Sequence, residues 1–178
     1  DRMAFRRNTF GEKLPDVLVP GLDVVFTGTA ASRRSAALGA YYAHPGNRFW
    51  QTLFETGITP RLYAPHEYAS LIHLGIGFTD MAKRASGMDH EIDPVHFDVP
   101  RFEGEMRRCR PRAIAFTSKK AASVWAGMPV SRLAFGRRAR RPDFPEVFIL
   151  TSPSGAARRT WSSEPWAALA AFLGRAPA

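Results

Sequence analysis

Cysteine is nearly missing from this chain. Cys109 stands alone among 178 residues, which excludes a disulfide framework within the chain and argues against a cysteine-based zinc site. Long apolar runs are missing too. No stretch approaches the roughly 18 residues that a bilayer span needs, and the opening residues lack the charged-then-apolar pattern of a secretion signal. One lone thiol fits a reducing compartment, so a cytoplasmic setting is expected. Acids are also scarce: 16 Asp and Glu face 25 Lys and Arg, leaving a formal charge of +9 and an isoelectric point of about 10.6. A surplus of this size points to a polyanionic partner. No basic segment also reads as a strongly amphipathic helix, so a membrane surface is the weaker reading of the charge.

What remains is an ordinary globular composition, 45% hydrophobic and 23% charged, long enough for one domain with a real core. Residues 1–13 are polar, basic and aperiodic, and are expected to form a mobile arm. Residues 14–178 are expected to form a single domain, acting as a monomer. The basic residues cluster: Arg2, Arg6, Arg7 and Lys13; Arg33 and Arg34; Arg137, Arg138, Arg140 and Arg141; Arg158 and Arg159. Cys109 shares a helical face with Phe102 and Met106, the pattern of a buried structural thiol.

Hydrophobic periodicity predicts alternating strands and helices. Strands are expected at 23–28, 76–80, 112–118 and 146–152, with an edge strand at 131–136. Helices are expected at 47–57, 65–75, 101–110, 119–127 and from about Ser163 to Leu173. Gly57, Gly75, Gly127 and Gly174 are placed as C-terminal stops. This alternation predicts an α/β fold, a single-domain three-layer α-β-α sandwich around a mainly parallel sheet of four to five strands. In such sheets, ligands bind beyond the carboxyl ends of the strands. Two segments there are unusual in content: 28–35 after the first strand, and 151–159 after the last.

Three motifs then stand in order: "PGLDVVFTG" entering the first strand, "HPGNRFW" at 44–50, and "SPSGAAR" at 152–158. From about Leu14 to Leu173 the chain resembles the mismatch-specific uracil-DNA and thymine-DNA glycosylase family. There the second motif reads H-P-x-N-R-F-W and the third N-P-S-G-x-S-R. The resemblance implies a uracil-DNA glycosylase-like fold and an enzyme that extrudes a base from DNA and hydrolyses its N-glycosidic bond. It implies no metal or organic cofactor. The partner it implies is double-stranded DNA carrying uracil or a mismatch, G·U foremost, with single-stranded DNA as a further substrate form. Tyr42 falls where the family stacks an aromatic on the extruded base, and Tyr41 beside it competes for that role. Gly28, Thr29, Ala30 and Ser35 fall on the pocket wall, with Asn47 as polar support. His44 is either a base-edge contact or a loop-orienting side chain. Ser154, Gly155, Ala156, Ala157 and Arg158 fall where the family drives a wedge into the duplex, and Arg34 and Arg158 suit phosphates. Ala156 is smaller than the usual wedge tip, which predicts a weaker dependence on the opposing base.

One departure matters most. The family carries G-I-N-P-G after the first strand, and its asparagine positions the attacking water. Here Ala30 stands at that position and can hold nothing. Either a carboxylate elsewhere replaces it or the protein binds lesions without cutting. The acids near the strand ends are Asp80, Asp89, Glu91, Asp93 and Asp98. Asp93 ranks first, ahead of Asp80 and Glu91, because Asp93-Pro94-Val95-His96 resembles the D-P-Y-H core of a sister class whose aspartate activates water. Pro94 disfavours the helical region for Asp93; the same Asp-Pro pair also suits a helix start, with Asp93 as N-cap and Pro94 at N1. No lysine is placed as an amine nucleophile, so a monofunctional hydrolase that leaves an abasic site is expected. A nucleotide-processing α/β enzyme would explain the sheet but not the motifs.

Overall fold

The computed structural model describes residues 11–178. Arg2, Arg6 and Arg7 lie outside the described residues. The end of the expected arm is tied down: the Lys13 amide donates to the Lys83 carbonyl at 2.7 Å, and Leu14 is already core.

Five strands form one sheet in the order β2-β1-β3-β5-β4. They are β1 (Val24–Ala31), β2 (Ile76–Ser86), β3 (Ala113–Phe116), β4 (Gly136–Arg137) and β5 (Glu146–Ile149). All pairings are parallel except β4 on β5. Five α-helices accompany them: α1 (Arg33–Leu38), α2 (Phe49–Glu55), α3 (Val99–Cys109), α4 (Lys119–Ala126) and α5 (Glu164–Leu173). Single-turn and longer 3-10 segments fill the connections, including Pro65–Leu74, where an α-helix was expected. Among the described residues, no helix is long and apolar enough to cross a membrane.

Side chains alternate between the two faces of a strand, and the parallel register carries that alternation across the sheet. Phe26 pairs with Phe78 on one side and Ala115 on the other. That face packs a ring cluster: Phe26 meets Phe49 edge-on at 5.0 Å and Trp166 at 6.0 Å, while Tyr41 stacks on Phe78 at 5.1 Å. The opposite face carries Thr27, paired with Thr79 and Phe116. Phe116 meets Phe102 and Trp125, and Trp125 stacks on Phe144. Cys109 is buried beside Phe102 and Met106 on α3, as the helical spacing required.

Three further elements differ from the sequence reading. β1 runs on to Ala31, past Gly28, because Ala30 still pairs with Ala82 before the register shifts. Ser32 then caps α1 by accepting from the Ser35 amide, so the expected loop at 28–35 is a strand end joined to a helix. β2 is 11 residues long rather than five. Two of its polar residues, Thr79 and Lys83, are buried and satisfied through Asp16, which takes an ion pair from Lys83 at 2.8 Å, one from Arg101 at 3.2 Å, and the Thr79 hydroxyl at 2.7 Å. Interior polar pairing gave this strand a loop-like composition. The edge strand is only Gly136–Arg137, since Val130–Arg132 turns as a 3-10 segment.

Candidate active site

The carboxyl ends of β1, β2 and β3 open into a cleft of about 290 Å³. That is near the lower end of ordinary small-ligand sites (about 300–1,000 Å³) and suits something the size of one nucleobase. Gly28, Thr29 and Ala30 form its floor from β1, and Asp80 lies beside Gly28 on β2. Gly28 sits on the same face as Phe26 two residues earlier. A Cβ there would stand 2.7 Å from Asp80 Oδ1, 3.4 Å from Tyr42 Oη and 3.6 Å from Thr117 Oγ1. The missing side chain therefore leaves open a point where three polar groups converge.

One wall comes from the motif residues. Tyr42 lines the cleft with its backbone in the left-handed region, at φ 51°. Its ring stacks on Phe49 at 4.0 Å and 16°, and its hydroxyl lies 3.0 Å from Thr117 Oγ1. Tyr41 is different in kind. Its ring lies in the core and its hydroxyl donates to the Pro15 carbonyl. Ser35 is buried, and its Oγ accepts from the Ala43 amide and from the Ser32 hydroxyl, both at 3.0 Å. Asn47 lines the cleft while its Oδ1 accepts from the Phe49 amide at 2.9 Å, turning the chain into α2. Of the two readings of His44, the geometry gives the loop-orienting one: Nδ1 accepts from the Gly46 amide at 2.9 Å, and the residue is exposed outside the cleft lining.

The 152–158 segment is bound to this wall. The Arg48 amide donates to the Pro153 carbonyl at 2.8 Å. A Cβ on Gly155 would come within 3.2 Å of the Gly46 carbonyl oxygen, so only a small residue lets the two loops meet this closely. Ser154 accepts from the Ala156 amide and starts the 3-10 segment Gly155–Thr160. Ser154, Ala156 and Ala157 line the cleft, and Arg158 is exposed beside them. Arg34 is exposed on α1. By contrast, the 137–141 arginines lead away from the cleft. Arg137 and Arg140 pair with Glu146, which opens β5 at its amino end, and Arg141 pairs with Glu103.

The carboxylates divide sharply. Glu91 accepts from the Met88 amide and pairs with Arg33. Asp93 accepts from the Val95 amide at 3.0 Å, capping the turn Pro94–His96, and is exposed outside the cleft lining. Asp98 accepts from the Arg101 amide at 3.0 Å and caps α3. The acid ranked first in the sequence thus lies away from the cleft, its proline placing it as a cap and its carboxylate taken up locally. Glu91 is outside the lining as well. Two acids remain free of backbone donors, Asp80 and Asp89, and both line the cleft. Asp80 is 4% exposed. Burial pushes its carboxyl up to about 6, with Lys83 and Arg101 opposing and Asp16 adding. Asp89 lies further out, exposed on its outer side. The cleft still desolvates it enough to raise its carboxyl above the usual range, with the Thr29 hydroxyl and then Lys120 and His90 offsetting part of the rise.

Thr117, His90 and Leu14 also line the cleft and were not anticipated. Thr117 was legible in principle, because it directly follows a strand at the sheet's carboxyl end. His90 and Leu14 carry no such signal.

The sheet order, the cleft and the motif loops define an α/β protein with a nucleobase-sized cleft at the carboxyl ends of its strands. The sequence model of the uracil DNA glycosylase superfamily matches residues 15–173, and the chain belongs to that superfamily. The fold is also similar to the solution NMR structure of a proposed uracil DNA glycosylase from Methanosarcina acetivorans. That protein is 24% identical, with a TM-score of 0.63 over 91% of this chain and 97% of the other.

Proposed function

We propose that this protein is a DNA glycosylase that takes an extruded uracil into the cleft and hydrolyses its N-glycosidic bond. A base inside the duplex stack cannot be reached, so extrusion must come first. Tyr42, already stacked on Phe49, offers an aromatic surface for the base. The small residues of 154–157, close to Gly46, suit contact with the opened duplex. The observation that carries the reading is the pair of uncommitted acids at two depths in one nucleobase-sized cleft. Asp80 is deep, where a base would end. Asp89 is at the rim beside Thr29, where the sugar would lie.

Asp89 is therefore our candidate for the role that Ala30 cannot fill. Its carboxyl, raised by burial above the ordinary range, is a better proton acceptor than a fully solvated aspartate. In the reaction the C1′–N bond breaks and its electron pair leaves with the base. Water adds to C1′, and its proton passes to Asp89. Negative charge at the rim also stabilises the developing oxocarbenium ion. Among the described residues no lysine lines the cleft, and Lys83 is held by Asp16. A hydrolase leaving an intact abasic strand follows. G·U preference is expected from the easier extrusion of a mismatched base, moderated by the small Ala156 tip.

Ala30 favours one second reading, a lesion-binding protein that does not cut. Incubation with uracil-containing duplex followed by alkali separates the two. Strand scission at the uracil supports the glycosylase, and tight binding without alkali-labile sites supports the lesion binder.

A further inference from the structure

The cleft is not the largest hollow in the protein. A cavity of about 770 Å³ opens between the last turn of α3, the segments entering β3 and β5, and the end of α5. It lies at the amino ends of the strands, whereas the cleft lies at their carboxyl ends. β3 is four residues long, so about 13 Å of strand separates the two openings. The cavity therefore faces away from DNA lying across the cleft.

Its floor is apolar. Met106, Pro111 and Phe144 are buried there, and Phe172 is half-buried beside them. Its rim is basic: Arg107, Arg110, Arg112 and Arg140 face two acids, Asp143 and Glu146. The arginines are held in place but not neutralised. Three carboxylates are each shared by two of them. Glu103 serves Arg107 and Arg141, Glu146 serves Arg137 and Arg140, and Asp23 serves Arg112 and Arg175. Arg110 ends α3 with its backbone at φ 47° and has no ion pair among the described residues. Positive charge remains in excess after every pair has formed. Ring faces fix several guanidinium planes as well. Arg141 lies 4.2 Å from the Phe144 centroid, and Arg137 and Arg112 lie 4.9 and 5.4 Å from that of Phe172. A stacked guanidinium keeps its N–H edge for a planar acceptor and needs little further ordering to bind one.

We propose that this cavity is a docking site for an acidic segment of a partner protein, one in which carboxylates flank a bulky apolar side chain. The carboxylates complete the half-neutralised arginines through two-pronged hydrogen bonds. The apolar side chain covers the floor between them. Arginines around a buried aromatic centre are the composition of a protein-binding hot spot. A duplex fits the site poorly: it would meet the rim with phosphates but has no apolar group to seat on Met106 and Phe144. The site is separate from the cleft, so the proposal stands whether or not the protein cuts uracil.

The test uses the full chain and a fluorescein-labelled peptide, Asp-Asp-Phe-Asp-Asp, followed by fluorescence anisotropy. Saturable binding is expected. Replacing Phe by Ser should weaken it about tenfold or more, the loss of one buried aromatic side chain. Replacing every Asp by Asn should weaken it at least as much. The double variant Arg107→Ala/Arg140→Ala should bind the peptide about tenfold more weakly, with its melting temperature and its affinity for duplex unchanged. Undamaged duplex at saturation should leave the peptide bound. Equal binding of the Ser peptide would reduce the cavity to a patch of bare charge and overturn the proposal. So would displacement by duplex, which would place the peptide on the DNA surface. Wild-type affinity in the double variant, or no binding by the wild type, overturns it equally.

Discussion

On the motif wall of the cleft, polar atoms are engaged with the protein itself. Ser35 and Ser154 each hold a backbone amide, and Asn47 Oδ1 holds a third. On the facing wall, Asp80 and Asp89 hold none. The first wall is preorganised: its groups cost little to hold in place because the loops satisfy each other. The second retains acid without a backbone donor in a desolvated setting, which suits the proton transfer proposed above and which stability alone would disfavour. Chemistry is concentrated where the local bonding is least complete.

The strongest way to break this contrast is to exchange an uncommitted acid for a committed one. Asp89→Asn should reduce single-turnover uracil excision by about 10²–10⁴-fold, the usual range for losing a general base, with DNA affinity nearly unchanged. Asp93→Asn should stay within a fewfold of wild type, since its carboxylate caps a surface turn. The reverse outcome, with Asp93 essential and Asp89 dispensable, would mean that the 86–98 segment rearranges on DNA.

Asp80 sharpens the contrast through stability. Its carboxyl is higher in the folded protein, at about 6 against an ordinary 3.8. The folded state therefore holds the proton more tightly than the unfolded chain. Below about pH 4 both states are protonated and nothing is lost; as pH rises through 6, the folded protein must carry a buried charge. The full cost above that range is about 3 kcal/mol for a shift of this size. Asp80→Asn should gain stability over wild type by about that amount between pH 4 and pH 8, measured by urea unfolding. A gap that does not widen with pH would show that the carboxyl is well solvated.

The motif wall responds in the opposite sense. Ser35→Ala removes the buried hydroxyl that accepts from the half-buried Ala43 amide, and a lost partner of this kind costs about 1–3 kcal/mol. The melting temperature should fall at every pH, with excision falling only as the Tyr42 segment loosens. A pH-dependent loss would assign Ser35 to the chemistry instead.

Most of the architecture was legible because it rests on local rules. The run "EVFIL" in a buried strand and the Gly127 stop are read from short windows. The cleft was legible only in part. Tyr42 and Asn47 stand in a motif dense enough to read. Asp93 was ranked first because an Asp-Pro pair serves equally in a reactive loop and at a helix start, and only the Val95 amide distinguishes the two. Asp80 was weighed as an acid at the end of a five-residue strand. Its position opposite Gly28 depends on strand register, a long-range property that no window of sequence contains. The Lys83–Asp16 pair is hidden from sequence for the same reason: the partners lie 67 positions apart but adjoin in the interior.

The smallest expected effect concerns the cations around the cleft. The +9 surplus overstates what DNA can use there, because Arg137, Arg140 and Arg141 are paired with Glu146 and Glu103 and lie toward the other end of the sheet. Arg33 is likewise held by Glu91. Arg34 and Arg158 are exposed without an ion pair among the described residues and flank the two walls. Each phosphate they neutralise should add about 0.9 to the slope of log affinity against log salt. Arg34→Ala and Arg158→Ala should each reduce that slope by about this amount, for undamaged and uracil-containing duplex alike. Arg140→Ala should leave it unchanged. Equal losses from all three would mean that DNA wraps well beyond the cleft, and that the walls contrasted here are only part of the binding surface.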